Sequence, residues 1–141
     1  MRGRIALLAA TLVVACSGDE VTADDLKRRR FAVTEVAGDA PREVREATFR
    51  FANDRLSWGG ICNSIGGEYL LQEGRVGFTA GGGTLRGCEP EALMTADGWV
   101  ADFLEAGPEV DLDGDVLTLR GEDATIVAED SGELTGSNRE R

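Results

Sequence analysis

The stretch RLSWGGICNSIGGEYLL sets Cys62 and Asn63 among Gly59, Gly60, Gly66 and Gly67, and a second cysteine, Cys88, closes the later run GGGTLRGC. Two chemistries fit such a pair. The sulfurs can be joined as a disulfide, or one can act as a reactive thiolate while the other resolves the product. An attacking thiolate needs a neighbour that lowers its pKa. The chain contains no histidine, which excludes Cys-His and Ser-His pairs, and its only lysine, Lys27, stands far from either cysteine in the sequence. Arg86 or a helix N-terminus would be left as the sole activator of Cys62. The alternative makes Asn63 structural, bonding within its own turn, with glycines around it that allow close strand approach.

Other clusters carry weaker signals. Asp111, Asp113, Asp115 and Glu122 fall at positions 1, 3, 5 and 12 of a calcium loop, but Val116 stands where that loop needs glycine. Asp113-Gly114 reads instead as a hairpin turn. GGGTLRG (81–87) has no lysine after its last glycine and no parallel βαβ context, so it is not a phosphate loop. Two cysteines without histidine supply half a zinc site. No metal or cofactor is expected.

The third cysteine has a different setting. Arg2 and Arg4 precede an apolar run from Ile5 to Ala15 that ends Val13-Val14-Ala15-Cys16. This is the layout of a secretory signal, too short to span a bilayer permanently. Its end resembles the lipobox of bacterial lipoproteins, in which the chain is cut before the cysteine and the cysteine is acylated, typically with palmitate. The expectation is a signal peptide over 1–15, with Cys16 anchored in the cell membrane or outer membrane and the protein facing periplasm or exterior. Of 141 residues, 26 are acidic and 15 basic, and removing Arg2 and Arg4 with the signal would bring the net charge near −13. Such acidity argues against a nucleic-acid partner, which requires clustered cations. The one basic run, Lys27 to Arg30, falls within residues 16–30, which read as a flexible tether. Residues 131–141 lack a hydrophobic face and read as a disordered tail.

Between these ends lies one domain, 31–130. Short alternating runs occupy Phe31 to Val36, Ala47 to Ala52, Arg55 to Trp58, Glu68 to Gln72, Arg75 to Thr79, Glu109 to Leu112, Val116 to Arg120 and Thr125 to Ala128. Bounded by Gly, Asp and Asn, they predict antiparallel strands with one wet face. Phe49 and Phe51 should point inward, with Thr48, Arg50 and Ala52 outward. Glu91 to Leu104 differs: Leu93, Ala96, Val100 and Phe103 recur at helical spacing beside Trp99, with Pro90 before and Gly107-Pro108 after. The predicted fold class is α+β, a curved antiparallel sheet or cracked β-barrel packed around one helix at about 91–104.

In this order of elements the chain resembles the META domain, typified by HslJ-like heat-shock lipoproteins. The residues that carry the likeness are Cys62-Asn63, Gly66 or Gly67, Tyr69, Thr84 and Cys88, followed by the helix and two closing strands. It departs from the pattern at Ile61, where glycine commonly precedes the first cysteine. In an oxidising compartment, a Cys62–Cys88 disulfide is the simplest use of the pair. The resemblance implies a non-enzymatic envelope lipoprotein acting in stress or assembly through a protein partner. A second expectation is a binding module for a small apolar ligand or lipid chain, held in a groove at Leu93 and Trp99. A third is a thiol redox protein using Cys62 and Cys88.

Overall fold

The computed structural model describes residues 20–84 and 87–133. The signal, Cys16, Arg86 and the tail beyond 133 lie outside the described residues. A four-residue helix, α1 (Ala23–Leu26), leads into β1 (Arg29–Gly38), a 3-10 turn (Arg42–Glu46), β2 (Thr48–Phe51), β3 (Arg55–Gly59), β4 (Ile65–Gln72) and β5 (Arg75–Gly83). Helix α2 (Ala92–Glu105) follows, then β6 (Glu109–Asp113), β7 (Val116–Arg120) and β8 (Ala124–Glu133). Each run expected to be a strand is one.

The strands form an antiparallel barrel in sequence order, closed by β1 on β8. Period-2 alternation puts Phe31, Phe49, Phe51, Leu56, Trp58, Leu117, Leu119 and Ile126 inside, each no more than 1% exposed. Phe51 packs edge-on against Phe31 at 5.8 Å and against Tyr69 at 5.4 Å. Thr48, Arg50 and Ala52 face outward as the alternation requires. The barrel is therefore filled by its own side chains.

Closure is uneven. Arg75 opposite Glu109 is the single register pair between β5 and β6, whereas β4 and β5 pair over eight positions. The seam is held by Val76 N–H donating to Pro108 O at 2.9 Å and Val110 N–H donating to Gly74 O at 2.8 Å. This is the crack of a cracked barrel, and α2 is the insertion that produces it. The helix packs on β5 and the 3-10 turn at the barrel end where β1 finishes. Gly107, at φ 78°, and Pro108 stop it.

Two boundaries differ from the sequence reading. Residues 16–30 are not a tether throughout: Leu26 is fully buried, Thr22 N–H and Oγ both donate to the Asp25 carboxylate, and Arg29 already belongs to β1. One apolar residue among polar neighbours leaves no periodic signal, yet Leu26 joins the barrel core. At the other end, β8 continues through Glu133, so residues 131–133 are strand rather than tail. Gly132 and Glu133 pair with Arg30 and Arg29 at the start of β1.

The β1–β8 junction is also held by charge. Arg29 Nε donates to Asp130 at 2.7 Å, its Nη2 reaches Asp115 at 3.2 Å, and its guanidinium lies 4.9 Å from the Phe31 ring centre. Desolvation works to raise the Asp130 carboxyl, but the Gly132 N–H and Arg29 prevail and hold it below its ordinary value. A carboxylate with a depressed folded-state pKa stabilises the fold fully above its unfolded pKa of about 3.9, and that stabilisation disappears as pH falls through the folded value. Asp130→Asn should therefore flatten the loss of stability on the acid side, below about pH 4. Urea midpoints measured across that range check this; parallel profiles would contradict it.

Candidate functional site

Cys62 and Cys88 are joined in a disulfide, with Cα atoms 6.0 Å apart. The bridged sulfurs are not thiolate nucleophiles. The free thiols that the redox expectation places at Cys62 and Cys88 are here joined, the oxidised form of such a pair. The bridge ties the β3–β4 connection to the segment entering α2, at the barrel end that the helix covers.

Around it the expected motif residues converge. Asn63 Nδ2 donates to Cys62 Sγ at 3.3 Å, and Thr84 Oγ1 donates to Asn63 Oδ1 at 2.9 Å. That hydroxyl in turn accepts from Ser64 N–H at 3.1 Å, while Thr84 N–H donates to Ser64 O at 3.0 Å. Thr84 and Asn63 thus clamp the start of β4 to the end of β5. The Asn63 side chain bonds both within its own turn, to Cys62, and across to Thr84.

The residue the sequence did not single out is Asp97. It lies on the buried face of α2 and is only 3% exposed. Its Oδ1 accepts from Trp58 Nε1 at 3.2 Å, and its Oδ2 accepts from Asn63 N–H at 2.7 Å. One carboxylate therefore joins helix, barrel core and cysteine loop. A tryptophan placed in a strand core must find an acceptor for its indole N–H, and that need was the available signal.

Tyr69 is a core residue, 7% exposed, whose hydroxyl has no hydrogen-bond partner among the described residues. Burial, followed by the nearby Asp54 charge, pushes its hydroxyl pKa up. Of the two motif glycines, Gly67 is the more constrained: a Cβ there would run into the Thr79 carbonyl, beside the register shift at Gly66/Gly67. Gly66 is buried but has more room.

The groove residues separate. Leu93 and Trp99 are both half-buried, but only Trp99 lines the open cleft of about 820 Å³ beside α2. Trp99 stacks on Phe103 with ring centres 5.0 Å apart and planes 17° apart. Around this pair stand Asp39, Asp102, Glu109, Glu122 and Asp123, against Arg75 and Arg120. Arg75 is paired with Glu109 at 3.0 Å. The cleft thus offers an aromatic surface inside an acidic rim.

The acidic run at 111–122 is a hairpin: Asp113 pairs with Val116 around Gly114, whose φ is 60°. Asp115 is turned toward Arg29. Among the described residues, no group of three or more His, Cys, Asp or Glu side chains is arranged to hold a metal.

A family model, that of the META domain, matches residues 24–132. A structure solved by NMR is 27% identical, covering 77% of this chain and 94% of that one, with a TM-score of 0.57. A second NMR structure, of a protein from Burkholderia xenovorans, is 16% identical over 79% of this chain and 87% of that one, with a TM-score of 0.61, and shows likeness of fold alone. None of the curated proteins matches the chain.

Proposed function

The chain belongs to the META domain family, and we propose that it is a non-enzymatic, lipid-anchored protein of the bacterial cell envelope that engages a protein partner through the cleft beside α2. The observation that carries this reading is the course of β1. The strand starts at Arg29, next to the segment leading back toward Cys16, and ends at Gly38, beside Asp39 and Asp123 of the cleft rim. Ten residues of strand extend about 33 Å. Attachment and cleft therefore lie at opposite ends of the barrel, so a protein held by Cys16 would present Trp99 away from the bilayer. The run ending Val13-Val14-Ala15-Cys16 supports the anchor, and a half-exposed Trp in a rimmed cleft suits an interface hot spot.

The stacked Trp99–Phe103 pair also favours a second reading, a small apolar ligand or lipid chain held in the same cleft. One experiment separates the two. A photo-reactive residue placed at Trp99 in cells should give discrete protein adducts, while the same residue at Asp111, which does not line the cleft, should give none. Native mass spectrometry of gently extracted protein should show an acyl increment on Cys16 and no bound small molecule. A co-purifying lipid with no adducts would establish the second reading, and an unmodified Cys16 would remove the anchor.

A further inference from the structure

We propose that the outer surface of β1, β2 and β3 next to α1 binds phosphate groups and seats the protein on anionic lipid headgroups, an orientation that rests on the anchored reading above. Lys27 and Arg28 are exposed in the turn before β1. Arg30 stands directly opposite Arg50 across the β1–β2 ladder, and Arg55 opens β3 alongside. Their side chains point outward because Phe31, Phe49, Phe51 and Leu56 fill the interior.

Like charges directly opposite each other in a sheet oppose its formation. Acidic residues outnumber basic ones 26 to 15, yet among the described residues Lys27, Arg28, Arg30, Arg50 and Arg55 form no ion pair. Glu68 faces Arg55 in the β3–β4 register without bridging it, and Asp25 is bonded to Thr22. The Nε of Arg30 is buried and has no acceptor among the described residues. Arg29 is excluded from the face because Asp115 and Asp130 engage it.

The place of Cys16 in the sequence argues for a membrane as the occupant. Three residues separate Cys16 from Glu20, a reach of at most about 14 Å. An acyl chain on Cys16 would hold this face at the bilayer, where phosphates would meet the exposed charges of Lys27, Arg28, Arg50 and Arg55. The acidic rim around Trp99, at the other end, would be turned away by the same surface charge.

The test uses the chain from Ser17 onward, which contains the whole closed barrel and lacks Cys16. Sedimentation should show binding to vesicles of equal parts phosphatidylglycerol and phosphatidylcholine and none to phosphatidylcholine alone, with loss at about 1 M salt. Arg30→Gln with Arg50→Gln should weaken partition about 30-fold, while the double lysine variant should retain it. A melting temperature no lower than that of the unaltered protein establishes that each variant is folded. Equal binding to both vesicle types, or undiminished binding by the glutamine variant, overturns the proposal. The mass at Cys16 reports on the anchor separately, so either reading can fail without the other.

Discussion

Asp97→Ala should lower the stability of the barrel by about 3 to 5 kcal/mol. The change removes the Asp97 acceptor from the buried Trp58 Nε1–H and from the part-buried Asn63 N–H, at about 1 to 3 kcal/mol for a buried donor. It also empties space beneath α2, where Ala96 and Val100 are fully buried. Asp97→Asn separates these effects. The amide keeps the volume and one acceptor oxygen but turns an NH2 group toward one of the two donors, so an intermediate loss of about 1 to 3 kcal/mol is expected. Urea denaturation gives both values, and the indole N–H resonance of Trp58 reports the local change. A loss of under about 1 kcal/mol for the alanine variant would mean that water replaces the carboxylate, and the network described here would not be a determinant of the fold.

Replacing Cys62 and Cys88 together by serine should cost about 3.5 kcal/mol by the chain-entropy argument, because the bridge closes a loop with a sequence separation of 26. For a domain of this size that loss corresponds to a fall in melting temperature of about 15 °C or more. Reduction of the native protein should give a similar fall. The bridge and Asp97 converge on the same loop, since Asn63 donates its N–H to Asp97 and its side chain to Cys62. The two substitutions should accordingly be non-additive, with the combined variant losing less than the sum of the separate losses. Additive losses would place the two supports in independent parts of the structure.

The strands were legible in the sequence because burial on one face leaves a period of two, plain in Thr48-Phe49-Arg50-Phe51 and in Val116-Leu117-Thr118-Leu119. The helix was legible from Ala96, Val100 and Phe103, and its observed bounds, Ala92–Glu105, differ by one residue from those expected. Closure was not legible. It depends on β1 finding β8 about a hundred residues later with two register shifts, which local pattern does not encode. Leu26 was missed because one buried leucine in a polar turn has no period. Asp97 was missed for a related reason: a carboxylate on a helix reads as solvated unless a donor from another element is known to face it, and Trp58 stands 39 positions away. Of the site residues, Cys62, Asn63, Thr84 and Cys88 assemble as one group, Gly66 and Tyr69 lie in the adjoining strand, and Leu93 falls outside the cleft that Trp99 lines.

The sparse pairing between β5 and β6 divides the sheet into regions of unequal protection. Amides of the β4–β5 and β1–β8 ladders are held by long runs of neighbours, whereas those of Val76 and Val110 depend on isolated bonds to Pro108 and Gly74. Hydrogen exchange should therefore reach the β5–β6 line through local openings well before the barrel unfolds globally. Glu109, Arg120 and Gly121, at the ends of β6 and β7, border the cleft. Breathing along that line would change the width of the cleft while the Cys62 loop stays pinned, giving the cleft a compliance that the rest of the barrel lacks.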